Sequence, residues 1–257
     1  MGILSKHLVL SMLSANLAWI AGAGLPARVS AAGAEAELAD IVARMDYGYY
    51  AGEARLIEAA RYDLERARGG GAVKAYYLGY SAYRLIQLGA ADSHRGRHQL
   101  IAGCLDAGRA ALVDPDWAVE AWVLVAACSL QGSTDEPARR VSHKLRLAEA
   151  LAAAHALDPD HPRLLLIAAW EEHRSDGEAT AERRLRTLER ARLEFEVWHG
   201  KGLAPAWGKA EALASLGEAY LELGQLREAR DLIEQSLMEA PDYHFALGLR
   251  NALSLPR

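Results

Sequence analysis

The stretch AEALASLGEAYLELGQLREARDLIEQSLMEAPDYHFA, from Ala210 to Ala246, decides the fold of this chain. Its small residues Gly217 and Ala229 stand twelve positions apart, a spacing that lets two antiparallel helices touch at these two points. The apolar residues that fill the seam around this contact are Leu213, Leu216, Tyr220 and Ile233. Gly224 breaks the first helix and Pro241 ends the second, so the stretch predicts a helical hairpin.

The same spacing recurs near the start of the chain and predicts an array of such hairpins. Gly48 and Ala60 again stand twelve positions apart, and the run 69–71 of three glycines ends the second helix there. The segment Gly89–His98 is interpreted as an insertion into the second unit. The predicted repeats are 38–70, 72–115, 116–159, 160–204 and 206–241, followed by a solvent-facing capping helix over 242–253.

The order of anchor residues resembles the tetratricopeptide repeat (TPR). Leu213-x2-Leu216-Gly217-x2-Tyr220, then Ala229-x3-Ile233, then Pro241 follows that motif, with Leu in its Trp position and Ile in its Phe position. The resemblance implies an all-α fold, a right-handed superhelical TPR solenoid of about five helix pairs plus a C-terminal capping helix. It also implies that the concave side binds peptides, partner proteins or small ligands, without catalysis.

Two further sequence segments make the resemblance more specific. The run from Leu157 through Asp158-Pro159 and the segment Pro205-Ala206-Trp207-Gly208 are similar to exported bacterial TPR proteins of unassigned function. They distantly resemble the TPR component associated with TRAP-type transporters. The chain departs from that component because Ser175–Glu178 stands where a Gly-Gly pair is typical, and because no lipid-anchoring cysteine follows the first apolar run.

The first 34 residues have the order of a secretory signal peptide. Lys6 is followed by the apolar run Leu8–Leu25 and by small residues, with cleavage predicted after Ala31 or Ala34. An uncleaved membrane anchor is the alternative, although the run is near the lower length limit for a membrane span. The leader predicts export, with the bacterial periplasm as the destination.

Composition and charge narrow the class of partner. The formal net charge is −5, and basic residues are scattered among acidic ones, so no polybasic face is predicted. Nucleic acid and anionic membrane surfaces are therefore poor partner candidates. The two cysteines, Cys104 and Cys128, fall on neighbouring antiparallel helices at similar height. They are interpreted either as a disulfide, which export would permit, or as two small core residues.

The TPR resemblance places ligand contacts on the inner face of the first helix of each pair. The aromatic residues and the histidine at those positions are Tyr49, Tyr76, Tyr80, Tyr83, Trp122, Trp170 and His173. Rings with polar tips suit a peptide or an amphipathic small molecule. Aromatic residues at helical spacing are equally typical of a packed core, and Tyr77 is expected to be packed because it cannot share a face with its neighbours.

Sequence signatures of catalysis are absent. The sequence contains no phosphate-binding loop, no H-E-x-x-H, no G-x-S-x-G and no C-x-x-C. His94 and His98 are interpreted as part of a solvated loop rather than a metal site, because two arginines accompany them. Glu171, Glu172 and His173 diverge around a helix and are interpreted as surface charge. We therefore predict no enzyme activity, no cofactor and no metal.

The sequence leads to two function hypotheses. The first is an exported interaction protein that binds a peptide or partner protein in its concave groove. The alternative is a periplasmic small-molecule-binding protein associated with a transporter, which would use the same aromatic rings as a closed pocket. A groove open at its ends favours the first hypothesis, and a pocket closed over Tyr80 and Trp122 favours the second.

Overall fold

The computed structural model describes residues 25–91, 93–133, 137–174, 178–200 and 202–254, all helices and connecting turns. The first three helix pairs are α1 (Leu25–Tyr50) with α2 (Ala54–Arg66), α3 (Gly71–Gln87) with α4 (His94–Ala111), and α5 (Ala118–Gly132) with α6 (Pro137–Leu157). The remaining helices are α7 (Pro162–His173) with α8 (Glu178–Val197), α9 (Lys209–Glu222) with α10 (Leu226–Glu239), and α11 (His244–Ser254). The predicted all-α solenoid of helix pairs is confirmed.

Both glycines that predicted the hairpins lie close to the second helix of their pair, although Gly48 approaches Ile57 rather than the predicted Ala60. A methyl group built at Gly217 of α9 would lie 2.8 Å from Ile233 Cγ1 of α10, so only glycine fits there. Gly48 of α1 meets Ile57 of α2 in the same way, at 3.0 Å. The close approach lets the apolar residues on either side interlock, which is how these hairpins bury their shared faces.

The pairs stack so that their first helices lie inside the superhelix. α3 contacts α1 and α5, α5 contacts α7, and each helix also packs against its partner in the pair. The two ends of the array meet, because the ring of Tyr49 at the end of α1 lies 5.9 Å from that of Tyr243 before α11. The last helix covers α10 and α9 with one face and exposes the other, as predicted for a cap. Its first residue also meets the end of α1, where His244 Nδ1 lies 3.3 Å from the Tyr50 carbonyl oxygen.

The connection between α3 and α4 differs from its prediction. His94 and His98 lie on the first turns of α4 rather than in a loop, because the Ser93 hydroxyl caps that helix by accepting from the Gly96 amide at 3.1 Å. The non-helical part of the Gly89–His98 segment is therefore shorter than predicted. Farther along α4, Cys104 is bonded to Cys128 of α5, and both are buried.

The predicted leader falls mostly outside the described residues. Residues 1–24 lie outside them, and residues 25–34 belong to the first turns of α1. Among the helices described, none combines the length and the apolar character that a membrane span needs.

Candidate functional site

The inner side of the superhelix contains a buried arginine surrounded by aromatic rings. Arg84 of α3 is fully buried, and its Nη2 donates to Glu211 Oε1 of α9 at 2.5 Å. Its guanidinium carbon lies 3.7 Å from the centre of the Tyr49 ring and 4.9 Å from that of Trp207. We call this group the Arg84 cluster, and its members are Tyr49, Tyr50, Tyr80, Tyr83, Arg84, Trp207 and Glu211.

Glu211 is completely buried and uses both carboxylate oxygens. Beyond the bond from Arg84, its Oε2 accepts from the Tyr50 hydroxyl at 2.9 Å and from the Gly208 amide at 2.8 Å. Three donors on one carboxylate offset the cost of removing its charge from water. The cluster therefore joins α1, α3 and α9 through one ion pair.

A loop inserts Trp207 into this cluster. Arg163, at the start of α7, holds the loop by donating to the backbone carbonyls of Trp207 and Pro205 and to Glu120 Oε1. The indole Nε1 of Trp207 then donates to the Tyr76 hydroxyl at 2.9 Å. Gly208 follows with a φ of +115°, and a side chain there would collide with Phe195, so the turn into α9 depends on glycine.

The tyrosines of α3 form the inner core instead of an exposed groove. Tyr76, Tyr80 and Tyr83, which the TPR mapping assigned to ligand contacts, are fully buried, and so is Tyr77. Burial raises the pKa of Tyr76, Tyr80 and Tyr83 above the ordinary value, so their hydroxyls stay neutral. Trp122 is half-buried and packs against the same core. A ligand does not reach these three tyrosines in this conformation.

The three other predicted contacts meet at an opening, which we call the inner pocket. Tyr49, Trp170 and His173 line this cavity of about 360 Å³ on the inner side. The first helix of every pair contributes to its wall, together with the start of α11. Its lining residues are Tyr49, Ile86, Gln87, Leu130, Gln131, Trp170, His173, Arg174, Ser215, Glu218, Tyr243, His244 and Phe245.

One side of the inner pocket is aromatic and the other is charged. Trp170 is fixed by a bond from its Nε1 to Ser215 Oγ at 2.8 Å, and Phe245 lies near Tyr243. Arg174 donates to the Leu130 carbonyl at the end of α5. Burial lowers the pKa of Arg174, and the nearby Arg97 lowers it further. The guanidinium remains charged, because an arginine pKa begins so far above neutrality.

Beside the inner pocket, His173, Glu218 and Glu222 bring potential metal-ligand atoms within 4.8 Å of one another. Arg184 of α8 already bonds both carboxylates, at 2.7 Å to Glu218 and 2.8 Å to Glu222. A guanidinium in that position competes with a cation for the same oxygens. We therefore interpret the group as an ion-pair network that stiffens the α8–α9 contact.

Sequence reasoning missed the residues that organise the site. Glu211 falls on an inner position of its TPR helix, where the mapping expects an exposed side chain, but it is buried. Arg84 was not singled out, and Trp207 was quoted only as part of the segment that supports the narrower resemblance. A signal for Arg84 does exist, since it is the only charge in the run from Ala75 to Ile86, and a lone charge among rings needs a buried partner.

The comparisons with known proteins agree with this architecture. No protein-family model matches the chain, and no curated protein matches it. A TPR protein from Thermus thermophilus is similar in structure, with a TM-score of 0.58 and 17% identity over 85% of this chain and 100% of that one. The haemophore HusA from Porphyromonas gingivalis has a TM-score of 0.55 and 16% identity over 75% of this chain and 93% of HusA. The chain therefore shares the helical-repeat fold of these two proteins.

Proposed function

We propose that this chain is a non-catalytic interaction protein whose inner pocket binds a segment of a partner protein. The observation that carries the proposal is the contrast along the inner side: the Arg84 cluster is sealed by its own rings, whereas the inner pocket is open. TPR folds serve as scaffolds for protein interaction, and the inner surface is where their first helices converge.

The aromatic side of the inner pocket supplies the anchoring surface. Trp170 and Phe245 are half-buried, so each already rests on the protein and presents part of its ring. Aromatic residues held in this way lose little conformational freedom on binding and contribute large contact area. A pocket of about 360 Å³ accepts an apolar side chain of a peptide together with the backbone beside it.

The charged side supports a peptide rather than a purely apolar ligand. Arg174 and His173 follow one another at the end of α7, and Glu218 faces them from α9. Groups of both signs around one opening complement a backbone with a charged side chain, and they fix the orientation of the bound segment.

Selection from a displayed random peptide library tests the proposal. The full chain is immobilised, and enriched peptides are measured against Phe245→Ala, which removes one aromatic wall of the inner pocket. Tyr62→Ala is the matched control, because Tyr62 is an aromatic residue on α2 that is 58% exposed and does not line the inner pocket. We expect the affinity of selected peptides to fall at least about tenfold in the first variant and to be unchanged in the second. Equal losses, or no enrichment, would contradict the proposal.

A second candidate is a small amphipathic ligand in the same inner pocket. Its volume lies within the range of small-molecule sites, and the structurally similar HusA is described as a haemophore, so this fold accommodates a ligand-carrying protein. Native mass spectrometry of the protein purified from its own compartment separates the two candidates. Extra mass of a few hundred daltons that denaturation releases favours the small ligand, and a clean mass favours the protein segment.

We further propose that the protein is exported by its N-terminal leader. The Cys104–Cys128 bond supports this, because disulfides persist in oxidising compartments such as the periplasm. Fractionation of the source cells, followed by the intact mass of the mature chain, tests both export and cleavage after Ala31 or Ala34. A full-length chain in the cytoplasmic fraction would contradict the proposal.

A further inference from the structure

A second cavity lies away from the inner pocket, where the connections between repeats converge. We call it the loop pocket; its volume is about 600 Å³. It is bounded by the turn before α5, the start of α5, the residue before α7 and the segment between α8 and α9. The residues that line it are Asp116, Trp117, Val119, Glu120, His161, Trp198, His199, Gly200, Ala204 and Pro205.

Two buried polar side chains of the loop pocket have polar atoms without a hydrogen-bond partner among the described atoms. Glu120 is 8% exposed and His161 is 5% exposed, and the His161 Nε2 lies 3.2 Å from Glu120 Oε1. Glu120 Oε2 and His161 Nδ1 have no hydrogen-bond partner among the described atoms. Because a buried polar atom without a partner costs free energy, this pair indicates that something else supplies the missing bonds.

The charge of Glu120 determines which kind of group is missing. Burial alone would raise the pKa of Glu120, but Arg163 at 2.8 Å and the bond from His161 outweigh it and leave that pKa below its ordinary value. Glu120 is therefore an ionised carboxylate. The unused Oε2 of this carboxylate is an acceptor, so a ligand at that atom must bring a hydrogen-bond donor.

The walls of the loop pocket add a preference for positive charge. Asp116 contributes a second carboxylate at the exposed margin, and Trp117 and Trp198 contribute indole rings. The Trp198 ring already holds one cation, because the guanidinium carbon of Arg163 lies 4.1 Å from its centre. An ammonium group brings three donors and a charge that an indole face attracts, whereas a hydroxyl group brings one donor and no charge.

We propose that the loop pocket binds a small organic ammonium ion, with the nitrogen at the unused Glu120 Oε2 and its apolar body against Trp117. This site is separate from the inner pocket, so it does not depend on the function proposed above. Phenethylamine, a protonated amine with an aromatic body, is a suitable probe. Phenethyl alcohol has the same shape without the charge and is the matched neutral ligand.

Isothermal titration of the full chain with the two compounds tests the proposal. We expect phenethylamine to bind with one site per chain and phenethyl alcohol to bind at least about tenfold more weakly. Ala204→Phe fills the loop pocket from the segment before α9, so this variant should lose amine binding. Ala206→Phe, on an exposed residue of the same segment that does not line the cavity, is the control and should bind like the original protein.

A second variant keeps the test decisive if Ala204→Phe does not fold, as judged by circular dichroism. Asp116 is exposed, so Asp116→Asn removes one carboxylate without disturbing the buried pair, and amine binding should weaken a few-fold. Glu120→Gln is less suitable, because it would leave Arg163 without its buried partner. Absence of amine binding, equal binding of the amine and the alcohol, or binding unchanged in both pocket variants would overturn the proposal.

Discussion

The Arg84 cluster and the inner pocket are neighbours on the same inner surface, yet one is sealed and the other is open. Tyr49 belongs to both, because Arg84 lies 3.7 Å from the centre of its ring while the same residue also lines the inner pocket. On the sealed side, the rings of α3 and Trp207 surround a buried ion pair. On the open side, Trp170 and Phe245 are only half-buried.

The two regions differ because a distant loop covers the Arg84 cluster and leaves the inner pocket open. The loop before α9 places Trp207 among the tyrosines of α3, and Arg163 fixes that loop by hydrogen bonds to two of its backbone carbonyls. In the described part of the chain, no comparable side chain fills the space between Trp170 and Tyr243. An inner position of these helices is therefore open to a ligand only where the chain has not already used it for its own core.

Breaking the buried ion pair should have the largest effect. Arg84→Ala leaves the fully buried Glu211 without its counter-charge, so we expect the free energy of unfolding to fall by about 3–5 kcal/mol. Urea denaturation followed by circular dichroism measures this. Arg109→Ala on the surface of α4, where the ion pair to Asp106 is exposed and spans 3.7 Å, should cost less than about 1 kcal/mol. Similar losses in both variants would show that the Arg84 cluster does not hold the array together.

Removing the disulfide tests whether a loss of stability between α4 and α5 affects the inner pocket. Cys104 and Cys128 are 24 residues apart. Closing a loop of this size with a disulfide stabilises the folded protein by about 3 kcal/mol. The double variant Cys104→Ala, Cys128→Ala should lose about this much in urea denaturation, while peptides selected against the inner pocket should bind as before. Weaker binding in the double variant would mean that the inner pocket depends on the α4–α5 contact as well as on its own walls.

The carboxyl group of Asp46 makes the sealed side sensitive to pH. Burial raises its pKa to about 6, although the hydrogen bond from Tyr80 and the charge of Arg84 both act to lower it. Because the folded state holds this proton more tightly than the unfolded state, stability should fall as the pH rises from about 4 to about 6. The expected loss is about 1–3 kcal/mol relative to Asp46→Asn, which does not titrate.

Urea midpoints of both proteins across that pH range measure the effect. Asp40→Asn, on an exposed residue of the same helix, is the control and should follow the original protein at every pH. If the difference between the original protein and Asp46→Asn does not change with pH, the carboxyl group has an ordinary pKa and Asp46 is better solvated than this packing indicates.

The sequence predicted the helix pairs well because small residues report direct contact. Gly217 and Gly48 were identified by their spacing from an alanine on the next helix, and both lie against that helix. The predicted start of α4 was wrong, because the hydroxyl of Ser93 caps the helix ahead of the two histidines. Local spacing thus determines which helices pair, while a single cap can move a boundary by several residues.

The site was less predictable, because its partners are far apart in the chain. Tyr49, Trp170 and His173 line the inner pocket as the TPR mapping placed them, but whether they bind a ligand stays a prediction. Tyr80 carries the same inner position and is buried by Trp207, which lies more than a hundred residues away. Periodicity within α3 cannot reveal which distant loop will cover it.

The smallest expected effects on stability come from deleting one hydroxyl group in the Arg84 cluster and one beside the inner pocket, and the two effects should have opposite signs. The Tyr83 hydroxyl is buried without a hydrogen-bond partner among the described atoms, so Tyr83→Phe should leave stability unchanged or raise it by up to about 1 kcal/mol. Ser215→Ala removes the acceptor of the Trp170 indole and should cost about 1 kcal/mol. Only Ser215→Ala should weaken binding of selected peptides, by a few-fold, because Trp170 is then free to turn. If Tyr83→Phe weakens binding as much, the sealed and open sides form a single site.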